Sequence, residues 1–440
     1  MPNAAPIPSK RRYPPIFWGL LILLFIMLGV GIGATWRFIS ARMGPPPAMW
    51  AQPWRMPEPQ RINSGMAVWS LAGASPEDVY RQAITTDEFD AAAAMTLLTA
   101  RLPSAQRLGW IQALARQAIA DDRPWDASVF LHHTSDLTLL LTTMKDYQRA
   151  QRLIDVADGW LELGDKNASR NALEQALTIA QFSTEMRRPV RRKLLTDLAN
   201  HYIKLGDAAR GQAISAIPVV DSPIIEPQDY LLDPLLLTPP VYSSDVENAR
   251  QTREQAARAY VDDWNQRGGA AAGGAVHTLG NALIDEDLVR QGFYESQLQR
   301  SAADVSAEIL QIRFDQINWI AIKYRVASGL YGASLVANWE AERPAIAASL
   351  DDALQALHSE LAIYVTTLPA AQQAAARVAA DRLMLEWAVI GLYSNADLGA
   401  LTDALNQDIA AWPAAGVFPR ATMQDDRVQI DVISKTPPEN

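Results

Sequence analysis

The same corner is written twice in this chain, 42 residues apart: "DVADGWLELGDKNASR" at 155–170 and "DLANHYIKLGDAARGQ" at 197–212. In the shared register Leu153 matches Leu195, Asp155 matches Asp197, Ala157 matches Ala199, and Leu163-Gly164-Asp165 matches Leu205-Gly206-Asp207. Trp160 faces Tyr202, and the small residues Ser169 and Gly211 sit equivalently in the segment that follows. Leu and Ala at these spacings make the buried stripe of one helix. Glycine ends such a helix by taking the left-handed conformation at little steric cost, and the Asp after it begins the next. Each copy therefore predicts a helical hairpin, and a hairpin buries its apolar faces only by stacking on a neighbour.

The segment "LGDKNASRNALEQAL", with Gly164, Asp165, Ala176 and Leu177, resembles the tetratricopeptide repeat over about residues 150–217. In that family a first helix ends at Gly-Asp and a second carries Ala-Leu near its end. The 42-residue spacing exceeds the family's period of about 34. Pro218 also stands where the second copy should place its small Ala. The resemblance implies a superhelical stack whose concave face, built from the first helix of each hairpin, holds a protein or peptide. On that rule the partner-binding candidates are Asp158, Glu162, Asn200 and Lys204, polar positions between the buried ones. Their mixed charge suits a polar protein surface more than a single anion. The competing reading is a helical array without a groove, in which these four are solvated.

Upstream, residues 16–36 run "IFWGLLILLFIMLGVGIGATW" without one charge. At ~1.5 Å per residue such a run matches a bilayer core of about 30 Å. Lys10, Arg11 and Arg12 precede it, which places the N-terminus (1–15) in the cytoplasm and the body outside, as a single-pass cell-membrane protein. A cleaved signal peptide is the alternative, but its apolar core would be about 7–15 residues. Gly29 and Gly33 form a GxxxG face for helix packing, and so suit a homodimer. Six prolines between 45 and 59 make the next segment, 37–74, read as a stalk.

The body reads as all-α. Helical spacing runs through 75–217, where Ser75, Pro76, Glu77 and Asp78 open a helix well. Six prolines between 218 and 240 mark a strap over 218–242, whose apolar run 231–237 should pack on helices or meet a partner. A bundle over 243–412 follows, its first helix opened by a capping box at Ser244 and Glu247. "RGGAAAGGAVHTLG" reads as a mobile turn, and a single long helix is expected over 285–330. Its seam is Leu298, Ala302, Val305, Ile309, Ile312, Gln316, Trp319, Lys323, Val326 and Leu330. A second seam runs through Leu350, Leu354, Leu357, Leu361, Tyr364 and Leu368, and helices near 371–392 and 397–411 close the bundle. In the tail, 413–440, Val428, Ile430 and Val432 alternate as in a strand.

Charge and composition narrow the function. Six basic residues against Glu58 give residues 1–59 a charge of +5, which leaves −15 of the total −10 on the remainder. An acidic body of that size repels phosphate backbones, so nucleic acid is not an expected partner. With no Cys, thiolate metal sites and thiol nucleophiles are excluded. His132 and Asp136 have metal-ligand spacing but no third ligand nearby and read as an ordinary polar pair; His201 reads as a structural residue beside Tyr202. "Asp285-Glu286-Asp287" reads as an acidic helix start, and the commonest zinc and serine hydrolase signatures and the phosphate loop are absent. No catalytic, cofactor or metal residue is therefore assigned. The expected function is an anchored extracytoplasmic scaffold or accessory subunit of a membrane complex that binds proteins; a glycan-cleaving hydrolase with an unrecognised carboxylate pair is the alternative.

Overall fold

In the computed structural model, residues 72–73, 104–141, 144–219, 232, 238–267, 273–299, 305–329, 341–392, 399–411, 416–424 and 427–435 are described. Twelve helices and a terminal β-hairpin make up these residues. The first six are α1 (Ser104–Ala120), α2 (Pro124–Leu140), α3 (Asp146–Glu162), α4 (Lys166–Phe182), α5 (Arg188–Leu205) and α6 (Ala208–Ser215). They pack as the hairpins α1/α2, α3/α4 and α5/α6, and the first helices α1, α3 and α5 adjoin one another in turn.

Both Leu-Gly-Asp corners close in one way. Gly164 and Gly206 have φ of 81° and 96°, a region that L side chains avoid. The Asp165 N–H donates to the Trp160 carbonyl at 2.9 Å, and the Asp207 N–H to the Tyr202 carbonyl at 2.8 Å. The glycine N–H groups donate to Leu161 and Ile203, which completes a Schellman turn in each copy. Asp165 then caps α4 by accepting the N–H groups of Asn167 and Ala168, and Asp207 caps α6 through Arg210. The matched positions Leu153/Leu195, Ala157/Ala199 and Trp160/Tyr202 are all buried.

The second half holds α7 (Ser244–Gln266), α8 (Gly273–Leu298), α9 (Ala307–Gly329), α10 (Arg343–Thr367), α11 (Ala370–Leu392) and α12 (Gly399–Ala411), each packed on the next. Four details correct the reading of the sequence. The cap of α7 is Ser243, whose hydroxyl accepts the Val246 N–H, one residue before the expected Ser244. The glycine-rich stretch enters a helix at Gly273, so Asp285, Glu286 and Asp287 lie in mid-helix rather than at a start. The long helix over 285–330 is two helices, because Ser306 caps a new one through the Ile309 N–H. On α9 the expected single seam is one of several buried faces. Leu310, Phe314, Ile317 and Ala321 are buried along with Ile312 and Trp319, because α9 lies between α8 and α10.

The tail adds the one departure from an all-helical chain among the described residues. Strands β1 (Gly416–Gln424) and β2 (Arg427–Lys435) pair antiparallel, with Ala421 opposite Ile430. An isolated hairpin is marginal in water, so its stability comes from where it sits. Gln175 donates to the Ile430 carbonyl at 3.2 Å, the Asn406 amide pairs with both backbone groups of Ala421, and Lys435 donates to the Ile409 carbonyl at 2.7 Å. The hairpin thereby bridges α4 and α12.

The described residues belong to one compact unit, Pro53–Asn440, in which the halves expected as separate lobes meet. Helix α11 packs on α2, and its Glu386 forms a buried ion pair with Arg107 of α1. Arg382, enclosed near Arg149, Asp146 and Glu185, is pushed down to about 9, first by burial and then by Arg149. Residues 16–36, with Gly29 and Gly33, lie outside the described residues, as does the stalk apart from Ala72 and Gly73. The buried Ala72 accepts a hydrogen bond from Arg258 at 2.9 Å. No helix among the described residues is long and apolar enough to cross a membrane. Of the strap's apolar run 231–237 only Leu232 is described, and it is buried.

Candidate functional site

The first helices line a groove of about 190 Å³, with Gln112, Ala115, Arg116 and Ile119 on α1 and Asp155, Val156, Asp158, Gly159 and Glu162 on α3. Leu131 and Thr134 of α2 form its floor. Gly159 sets the approach of α2 to α3: a Cβ there would lie 2.8 Å from Leu131 Cδ2. The polar positions follow from the repeat register. Asp155, Asp158 and Glu162 fall at i, i+3 and i+7, one stripe of α3, beside the buried stripe of Leu153, Ala157 and Trp160.

Two of the four predicted residues, Asp158 and Glu162, line this groove. A third joins them across the helix pair: Lys204 Nζ lies 2.6 Å from Asp158 Oδ1. The fourth, Asn200, is exposed on α5 and is not among the lining residues. His201, read from sequence as structural, is the group that reasoning missed. Its Nε2 lies 3.2 Å from Asp158 Oδ2, and its Nδ1 lies 2.7 Å from the Asp197 carbonyl. The signal was available, since His201 and Lys204 sit three residues apart on the same helix face.

The carboxylates of the groove differ. Partial burial works to raise Asp158, but the hydrogen bonds and charges of Lys204 and His201 outweigh it and hold the group below its ordinary value. Asp155 is raised, by burial first, with Asp158 adding to the effect and Arg152 and Arg116 opposing it. Glu162 is exposed at the rim. Three carboxylates and Arg116 line the groove, with Asp158 paired to Lys204 from α5.

A second concentration of charge lies between α7, α8 and α9. Glu286, fully buried, accepts from Arg253 at 2.7 Å and from Arg290 at 2.8 Å. Arg290 also reaches Asp315 at 2.8 Å and lies over the Trp319 ring at 4.6 Å. Tyr242, pushed up to about 12 by burial and by Asp315, donates to Asp315 at 2.6 Å. Lys323 and the Trp319 indole both donate to Asp287, which explains the polar break in the expected seam. These groups satisfy one another, so the cluster reads as a structural joint. Among the described residues one set has a metal's ligand spacing: His358, Asp381 and Asp408, from α10, α11 and α12, with ligand atoms within 4.8 Å of one another. His358 Nε2 lies 3.0 Å from Asp408 Oδ2.

No protein-family model matches the chain, and no curated protein or solved structure matches it.

Proposed function

We propose that this chain is a single-pass, membrane-anchored scaffold that holds a protein partner along the groove of its first helices, in the manner of a tetratricopeptide-like stack. The observation that carries the reading is the groove itself. It lies on the face formed by successive first helices, and it contains Asp158 and Glu162. Asp158 is held in register by Lys204 and His201, while Asp155 and Glu162 supply the carboxylates that a basic segment of the partner would meet. The charge-free run at 16–36 and the proline-rich stalk support presentation of this surface away from a membrane.

The test uses the full-length chain in its own membranes, with a photo-crosslinking residue at Glu162 and, as control, at Arg170, which is exposed on α4. The partner should crosslink from position 162 and not from 170. Charge reversal by Asp155→Lys, with the crosslinker kept at 162, should abolish capture while helicity is retained. Equal capture by that folded variant refutes the groove. External protease applied to intact cells should remove the body and leave the N-terminal stub; a body protected until lysis refutes the topology.

A further inference from the structure

Three successive helices each bring one donor to a single point: His358 from α10, Asp381 from α11 and Asp408 from α12, with ligand atoms within 4.8 Å of one another. The register of each helix explains the meeting. His358 lies four residues after Leu354 and three before Leu361, at the flank of the buried stripe of α10. Asp408 lies three residues after Leu405 and next to Ile409, both buried, at the flank of α12. Asp381 sits inside the buried run 379–388 of α11, the helix on which α10 and α12 both pack.

The charges at this point call for a cation. Asp381 is 4% exposed, and a carboxylate that deep is ordinarily paired or bound to a metal. A second carboxylate, Asp408, stands within 4.8 Å of it, and two such charges repel. Asp408 meets His358 Nε2 at 3.0 Å and no Lys or Arg among the described residues. One imidazole N–H reaches one oxygen, whereas a cation inside the triangle reaches all three donors. Around a small divalent metal, with bonds of about 2.0–2.2 Å, neighbouring donors stand roughly 3.0–3.5 Å apart. His358 and Asp408 already have that separation, and turning the Asp381 carboxylate supplies the rest.

We propose that His358, Asp381 and Asp408 hold one divalent transition-metal ion. An imidazole nitrogen with two carboxylate oxygens suits zinc, manganese or ferrous iron, whereas magnesium and calcium take oxygen shells. Zinc, which accepts three protein donors and a water, is the best fit. His358 and Asp408 are half-buried, so the water enters from their side. The ion ties α10 to α12, and α12 seats the hairpin through the Asn406 amide on Ala421 and the Ile409 carbonyl that Lys435 meets. Its role is to fasten the C-terminal end of the fold, and it is independent of the groove.

The experiment titrates the full-length chain, treated with a chelator and freed of it, with Zn²⁺ in a calorimeter, and repeats the titration in excess Mg²⁺. Zn²⁺ should fill one saturable site that Mg²⁺ does not take. His358→Ala should weaken binding about tenfold or more, ~1.4 kcal/mol, with helicity retained. His277→Ala, at an exposed position of α8, should leave binding unchanged. Hydrogen exchange of α12 should slow when Zn²⁺ is added, and that of α3 should not. Absence of saturable Zn²⁺ binding, displacement by Mg²⁺, equal affinity in folded His358→Ala, or unchanged exchange of α12 overturns the proposal. If His358→Ala does not fold, Asp408→Asn, on the solvent side, decides: unchanged Zn²⁺ affinity there overturns it.

Discussion

Replacing Glu286 by Gln tests whether the two halves of α7–α9 are held by charge or by packing alone. The side chain is 0% exposed, and the guanidinium groups of Arg253 and Arg290 that contact it are 5% and 2% exposed as residues. Burial alone would raise this carboxyl, but Arg253 and Arg290 more than reverse that and hold it below its ordinary value. Breaking a buried pair by removing one partner costs about 3–5 kcal/mol, since a charge is left in the interior. Arg290 keeps Asp315 at 2.8 Å and its position over the Trp319 ring, so the lower end, about 3 kcal/mol, is expected. Equilibrium denaturation of the full-length chain at neutral pH measures it. Because the folded value lies below the unfolded value of 4.5, the stabilisation is present above that pH and is lost as pH falls through the folded value. The gap between wild type and Glu286→Gln should therefore narrow in acid. Glu247→Gln is the comparison: its carboxylate, held down to about 2 by Arg250 and Gln251, is at the surface, and such pairs contribute about 0–1 kcal/mol. A Glu286→Gln loss no larger than that of Glu247→Gln would refute the reasoning.

Two further predictions concern the repeat. Asp165→Ala and Asp207→Ala should each cost about 1 kcal/mol of stability, measured by equilibrium denaturation, and a cost at only one corner would break their equivalence. Gly211→Ala should cost more than Gly164→Ala, because its Cβ would lie 2.8 Å from the Ala199 carbonyl oxygen, whereas Gly164 has no neighbour within 4 Å and carries only the strain of φ 81°; the reverse order in thermal melts would show that backbone strain dominates contact.

Local chemistry wrote the corners into the sequence: Gly164, Gly206, Asp165 and Asp207 each act through hydrogen bonds to residues within five positions, so their spacing alone specifies them. The helical character of the chain follows from the same short-range periodicity, as does the buried stripe Leu350, Leu354, Leu357 and Leu361. The start of a new helix at Ala307 was not legible, because the Ser306 cap inside an apolar-periodic stretch resembles any other polar position. What tertiary structure decided is which polar residues meet. Lys204 and His201 find Asp158 from more than forty residues away, Glu286 finds Arg253 from 33, and Gln175 finds Ile430 from 255. A charged residue carries the same local signal whether its partner is water or a guanidinium brought in by another helix. Helix periodicity reports which face is buried but not what covers it. Seating the hairpin on α4 therefore turned the isolated pair His132 and Asp136 into the wall of a cavity.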